Sequence, residues 1–275
     1  MQIDIFVPSK DASYASMAAD RLERYRTLLA RHGCSLEPRP WPEGPGEQPT
    51  LALLAWGYHA EVRGWEKLLD DWPPDVPLLN PPALMRWNTR KTYLSDFERA
   101  GVPTVPTLFG DADAESVSVA FDRLGADELV VKPQISAGSD RTSRVQRGET
   151  VAPLEEAMIQ PFLPSVAGEG EYSLFYFGGA PAHAIRKVAA TGDFRVQPEF
   201  GSRIEPWSPD AEARATADAA MAAAPPGAVY VRIDLVRRLD GRLALMEFEA
   251  IEPDLYLQYD KEAGDRFAEA LLASF

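Results

Sequence analysis

The chain is predicted to join an open α/β unit at its N-terminus to α+β structure over the remainder. Three stretches carry that prediction. Residues 2–69 alternate apolar strand-like runs with amphipathic helical ones, in the order strand, helix, strand, helix. Residues 72–82, WPPDVPLLNPP, hold too much proline for a helix and mark a boundary. Residues 230–257 read as two strands joined at Asp240-Gly241, a dipeptide favoured where both central residues of a turn need positive φ.

In order, residues 2–7 form a short buried strand and 15–31 a helix closed by His32-Gly33. Residues 37–49 are rich in Pro and Gly and read as a loop, 51–56 as a second buried strand, and 60–69 as a second helix. Asn88 or Thr89 is placed to N-cap a helix that carries Tyr93, Leu94, Phe97 and Ala100 on one side and stops at Gly101 and Pro103. Lys91 then falls in the first turn, where the helix dipole prefers acids; it either awaits an anion or is simply solvated. Residues 128–133, ELVVKP, form an apolar strand with Lys132 at its end. The short residues Ser136-Ala137-Gly138-Ser139 follow, and their backbone can approach phosphate oxygens closely.

Residues 158–163, MIQPFL, are apolar, and Pro161 prevents regular pairing there, which frees backbone groups for a flat heterocycle. Glu171 opens the strand EYSLFYF. A strand over 182–188 ends on Arg186 and Lys187, with Arg195 beyond it. Ser208 is placed to N-cap an Ala-rich helix with Pro209 at its first position, stopped by Pro225-Pro226-Gly227. An amphipathic helix over 265–275 closes the chain. His183 reads as a packing residue; Trp56 and Tyr58 either line a pocket or belong to the core.

Composition narrows the function. A net charge of −14 over 275 residues argues against nucleic acid and anionic membranes, both of which reward clustered Lys and Arg. The one cysteine, Cys34, excludes an intramolecular disulfide and a cysteine-based zinc cage, and fits a reducing compartment. The start of the chain lacks a basic segment followed by a long apolar run, so a cytoplasmic location is expected. Neither G-x-x-x-x-G-K-[ST] nor G-x-G-x-x-G occurs, so the common phosphate-binding loops are excluded.

If Asp240 and Gly241 form the turn, Asp234 stands opposite Glu247 and Arg232 opposite Glu249. Alternation puts those four side chains on one face, and Ile233, Leu235, Met246 and Phe248 on the other, toward a core. Like charges directly opposed on a sheet cost a few tenths to about 1 kcal/mol. A hard divalent cation, which takes oxygen ligands, gives the juxtaposition a purpose. A solvated face partly neutralised by Arg232 is the alternative.

Taken in order, Lys91, Lys132, the small-residue loop, Q-x-x-L from Gln160 to Leu163, Glu171, R-x-D at Arg232–Asp234 and E-x-E at Glu247–Glu249 resemble the ATP-grasp superfamily, over roughly residue 79 to the C-terminus. The resemblance implies an ATP-grasp fold of two α+β units clamping ATP, behind an N-terminal α/β domain. The implied units are residues 1–85, a lid subdomain over 86–165, and a C-terminal subdomain with the metal site over 166–275. It further implies ATP with one or two Mg²⁺ ions. Lys91 and Lys132, with Ser136 and Gly138, would meet the nucleotide phosphates. Gln160, Phe162 and Leu163 would surround the adenine, and Glu171 would hold the ribose hydroxyls. Asp234, Glu247 and Glu249 would carry Mg²⁺, and most of the superfamily has E-x-N where this chain has E-x-E.

GEGEYSL and VRIDLV are similar to segments of D-alanine–D-alanine ligases, where the arginine of R-I-D steadies the tetrahedral intermediate; Arg232 would do so here. Lys187 and Arg195 would hold the γ-phosphate or acylphosphate. LLNPPALMRWNTRKTYL, VVKPQISAGS, HAIRK and MEFEAIEPDLYL look like segments of the O-ureido-D-serine cyclo-ligase branch, which closes the D-cycloserine ring. Ala55 and Gly57 replace Thr and Asp of a T-W-D-Y stretch associated with that branch. The implied activity is an ADP-forming carboxylate–amine ligation through an acylphosphate of a small amino-acid-like substrate, intramolecular in the cyclo-ligase manner. An intermolecular ligase of glutathione-synthetase type and a non-catalytic nucleotide-binding regulator are the alternatives, and a homodimer is left open.

Overall fold

A computed structural model describes residues 1–9, 14–136, 141–190, 201–262 and 264–275. β1 (Gln2–Val7) leads into α1 (Ala15–Arg31), whose buried Ala18, Leu22, Tyr25, Leu28 and Leu29 recur at helical spacing and form one apolar stripe. β2 (Ser35–Pro40) runs parallel to β1, from Gln2 opposite Ser35 to Val7 opposite Pro40. A strand thus replaces part of the expected loop. Pro38 and Pro40 are tolerated because β2 is an edge strand, where a missing N–H need not break a ladder.

β3 (Thr50–Leu51) is shorter than the strand expected over 51–56. The chain turns at once: the Ala55 N–H returns to the Ala52 carbonyl at 2.9 Å, and Leu53, Leu54 and Ala55 are buried in irregular backbone. A short apolar run signals burial without fixing conformation. α2 (Val62–Asp70) and β4 (Leu78–Leu79) complete a parallel sheet of order β2-β1-β3-β4.

Two short helices, α3 (Pro82–Asn88) and α4 (Tyr93–Arg99), replace the single helix expected after Asn88 or Thr89. Pro82 sits at the first helical position, where its missing N–H costs nothing, so α3 starts ahead of the expected cap. Lys91 lies in the turn between the helices rather than in a first turn.

β5 (Leu108–Ala112), α5 (Ala114–Leu124), β6 (Glu128–Pro133), β7 (Ser143–Gln146) and β8 (Leu154–Pro161) follow, and their strands form an antiparallel sheet of order β5-β8-β6-β7. Asp113 caps α5 by accepting from the Ser116 N–H at 2.8 Å. Pro161 pairs with Leu129 as the last residue of β8, so regular pairing stops at it rather than before it.

α6 (Pro164–Gly168) leads to β9 (Glu171–Phe177), β10 (Ala180–Val188), β11 (Arg203–Pro206), α7 (Ala211–Ala223), β12 (Tyr230–Arg237), β13 (Leu243–Glu249) and α8 (Asp265–Leu272). The strands form a third sheet of order β11-β10-β9-β12-β13. Asp210, not Ser208, caps α7, accepting from the Ala213 N–H at 2.8 Å. The Ala184 carbonyl holds the Trp207 N–H at 2.9 Å and keeps the chain extended past β11, which delays the helix.

Leu22 and Tyr25 of α1, Phe175 of β9 and Phe267 of α8 share one core, which ties the N-terminal sheet to the third. Leu84 and Phe97 of α3 and α4 pack with Val231 and Phe248 in a second core of the third sheet. The middle sheet has its own core around Val117, Phe121, Leu129 and Ile159. Among the described residues no helix is long and apolar enough to cross a membrane.

Candidate active site

The β12–β13 hairpin does not use a two-residue turn. The Arg238 N–H donates to the Arg242 carbonyl at 2.9 Å, leaving Leu239, Asp240 and Gly241 as the loop, with Gly241 at φ +80°. Leu235 therefore pairs with Leu245. A bulge at Met246 then restores the expected register, so Asp234 stands opposite Glu247 and Arg232 opposite Glu249. The bulge also corrects the expected orientation of Met246, which is only half-buried and lines a cleft near Leu163.

Ligand oxygens of Asp234, Glu247 and Glu249 lie within 4.8 Å of one another. Arg232 holds two of these acids: its Nε donates to both Asp234 oxygens at 3.1 Å, and its Nη2 donates to Asp234 Oδ2 at 3.0 Å and to Glu249. Its Nη1 donates to the Asp254 carbonyl at 3.3 Å. Lys187 Nζ pairs with Glu171 and lies 3.4 Å from Asp234 Oδ1. Lys91 Nζ is 2.9 Å from Glu247 Oε1 and donates to the Ser136 carbonyl at 3.0 Å. Lys91 is thus the counter-ion of Glu247, not a cation set against a helix dipole.

Burial alone would raise the Asp234 carboxyl, but Arg232, Lys187 and the Ser173 hydroxyl hold it down at about 2. Burial pushes Glu249 up to about 8, with Glu247 and Asp234 adding to the rise and Arg232 opposing it. Three crowded, partly buried carboxylates, rich in hard oxygen donors, fit a divalent cation such as Mg²⁺.

Facing the hairpin, β6 and β8 wall a cleft of about 660 Å³. Lys132 reaches it from β6; burial lowers its pKa, and among the described residues no acid lies within ion-pair distance of it. Gln160 lines the same wall and donates through Nε2 to Thr107 Oγ1 at 2.9 Å. Phe162 and Leu163 also line it, and the Arg144 guanidinium covers the Phe162 ring at 3.7 Å from its centroid. The Phe162 N–H is used within the fold, donating to the Glu128 carbonyl at 2.8 Å. Lys91, Lys132, Ser136, Gln160, Phe162, Leu163, Glu171, Lys187, Arg232 and the three acids thus share one cleft. Gly138 and Arg195 lie outside the described residues.

Beyond these residues, the sequence had marked only Trp56 and Tyr58 of the rest of the cleft lining. Tyr14, Arg21 and His59 of the N-terminal unit line the cleft, with Glu252 and Asp254 from the segment after β13. Arg21 Nη2 meets Asp254 Oδ2 at 2.6 Å. The E-P-D run two residues beyond E-x-E was a usable signal for Glu252 and Asp254, whereas Arg21 sits among charged helix residues that look alike. Trp56 and Tyr58 line it too, and Tyr58 also packs on Trp65 with ring centroids 5.1 Å apart, so it serves both pocket and core.

Three sheets, a cleft between the second and third, and a carboxylate hairpin carrying an arginine with two lysines against it are the frame of the site; the chain belongs to the ATP-grasp ligases, which form C–N bonds. Within them it is 33% identical over 217 residues to cycloserine biosynthesis protein DcsG of Streptomyces lavendulae, covering 70% of this chain and 72% of that one. It is also 29% identical over 210 residues to glutathione synthetase of Prochlorococcus marinus (strain MIT 9313), covering 72% of this chain and 64% of that one. The crystal structure of D-cycloserine synthetase DcsG matches with a TM-score of 0.80 at 26% identity over 99% of both chains. D-alanine–D-alanine ligase of Bacillus anthracis, complexed with ATP, shares the fold with a TM-score of 0.68 at 16% identity, over 100% of this chain and 97% of that one. No protein-family model matches the chain.

Proposed function

We propose that this ligase forms ADP by activating the carboxylate of an amino-acid-like substrate as an acylphosphate, and that the amine closing the C–N bond belongs to the same molecule. The observation that carries the reading is Arg232, buried against Asp234 and Glu249 in the cleft that Lys91, Lys132 and Lys187 also line. Arg232 is the counter-ion of those acids, and a fixed guanidinium at that place would also stabilise a tetrahedral oxyanion. Asp234, Glu247 and Glu249 would hold Mg²⁺, which supplies charge neutralisation at the phosphates. Lys91, Lys132, Ser136 and Gly138 would hold the phosphates, Gln160, Phe162 and Leu163 the adenine, and Glu171 the ribose. Lys187 and Arg195 would steady the transferred phosphoryl group. The substrate carboxylate attacks the γ-phosphorus and ADP departs. The amine then attacks the acyl carbon, and phosphate leaves with one former carboxylate oxygen.

The similarity to a cycloserine biosynthesis protein favours the intramolecular form; that to a glutathione synthetase supports an intermolecular ligase as the second reading. The division into units 1–85, 86–165 and 166–275 belongs to the same proposal. ADP release with Mg²⁺ and ATP, screened over single amino acids, both O-ureido-serine enantiomers and pairs of amino acids, separates the readings. Stimulation by one compound, with a product lighter than it by the atoms of water or of further small leaving groups, supports cyclisation. Stimulation only by pairs moves the assignment to the intermolecular ligase.

A further inference from the structure

Glu171, Asp234, Glu247, Glu249, Glu252 and Asp254 are the acids that line the cleft. Five of them are matched: Glu171 by Lys187, Asp234 and Glu249 by Arg232, Glu247 by Lys91, and Asp254 by Arg21. Glu252 differs. It is half-buried, and among the described residues no cation lies within ion-pair distance of its carboxylate. Lys91 and Arg232 act on it only from a distance, each being engaged elsewhere. A carboxylate withdrawn from water without a paired cation is costly to keep charged. Burial accordingly pushes its carboxyl up to about 7, with the neighbouring Glu247 adding to the rise.

The surroundings fit an organic cation better than a second metal ion. Tyr14, Trp56 and Tyr58 line the same cleft, and the Glu252 charge reaches the Tyr58 phenol. Aromatic faces attract an ammonium group, and a single carboxylate supplies its ion pair. Glu252 also follows Glu249 by three residues, so a molecule held by it can extend its carboxylate toward Arg232 and the metal-binding acids.

We infer that Glu252 is the residue that binds an ammonium group of the substrate other than the amine that closes the C–N bond, and so restricts this ligase to carboxylates that carry a second, unblocked amine. The inference rests on the proposed ligase reading, because it assigns the cleft around Glu252 to the substrate.

Two measurements separate the two claims. The first is binding of D- and L-serinamide, which carry an ammonium group but no carboxylate to activate, by calorimetry at pH 8 with Mg²⁺ and ADP present. At least one enantiomer is expected to bind the wild-type enzyme. E252Q is expected to weaken it by tenfold or more and E252D by less, while affinity for ADP changes by under twofold and shows that the fold is intact. Absence of serinamide binding to the wild type, or equal binding by E252Q, overturns the inference.

The second is ADP release with amino acids against forms acetylated on the amine that does not close the C–N bond. Stimulation by the free amine only, with E252Q raising KM far more than it lowers kcat, supports the inference. Equal stimulation by the acetylated forms overturns it. Serinamide binding that depends on Glu252, without any stimulated ADP release, leaves Glu252 as the ammonium site and refutes the ligase chemistry instead.

Discussion

Asp234 and Glu247 face each other across β12 and β13 because two one-residue departures cancel. The loop of Leu239, Asp240 and Gly241 shifts the ladder, and the Met246 bulge shifts it back. The acids of the hairpin are thereby set against Arg232, Lys187 and Lys91, and each cation can be tested.

Arg232→Ala leaves Asp234 and Glu249 buried without their cation. Removing one partner of a buried ion pair costs about 3–5 kcal/mol, so thermal unfolding in EDTA shifts to markedly lower temperature. Mg²⁺ restores part of the loss, and its stabilising effect exceeds that on the wild type. Loss of an oxyanion donor lowers kcat by about 10²–10³-fold. A variant that melts low but keeps kcat would show that Arg232 is structural only.

Asn88 acts as a clip on the edge strand β13. Its side chain donates to the Phe248 carbonyl at 2.6 Å and accepts from the Ala250 N–H at 2.8 Å, on either side of Glu249. Asn88→Ala strands two buried backbone groups, at about 1–3 kcal/mol each, and weakens Mg²⁺ binding as Glu249 loosens. Asn88→Asp keeps the acceptor and recovers part of the stability. Melting curves and Mg²⁺ titration of both variants check this.

Lys132 points into the cleft with its charge unpaired among the described residues, and burial lowers its pKa. Lys132→Met therefore leaves the melting temperature of the nucleotide-free protein unchanged or higher, since it removes a desolvated charge. The KM for ATP rises at least tenfold. A fall in stability with unchanged KM would remove Lys132 from the nucleotide site.

Glu249 and Glu252 have carboxyls raised to about 8 and about 7. The folded chain keeps protons that the unfolded chain has already released, so their contribution to stability falls as pH rises from the ordinary carboxylate range toward 8. Asp234, held near 2, works oppositely: its contribution is present above the ordinary carboxylate range and is lost as pH falls toward 2. Mg²⁺ replaces the Glu249 proton, so the stabilisation it gives grows between about pH 5 and 8. Melting temperatures with EDTA and with Mg²⁺ across that range read this out; a Mg²⁺ effect independent of pH contradicts it.

Much of the site was legible in the sequence because it is written in strand periodicity. Alternation alone put Arg232, Asp234, Glu247 and Glu249 on one face, and the pairing follows it. The bulge that turns Met246 into the cleft was not legible, since neighbouring residues do not announce which of them leaves the ladder. Helix starts were missed where two signals competed, as between Ser208 and Asp210. The Arg21–Asp254 pair that also lines the cleft joins residues far apart in sequence, brought together through the shared core of α1, β9 and α8.

The most direct test of the central claim follows the oxygen. The compound that stimulates ADP release is prepared with ¹⁸O in its carboxylate and turned over with Mg²⁺ and ATP, and the phosphate is examined by ³¹P NMR. Acylphosphate chemistry predicts one ¹⁸O in the released phosphate, and its loss of rate in Arg232→Ala. Unlabelled phosphate, or no compound that stimulates ADP release at all, would contradict it.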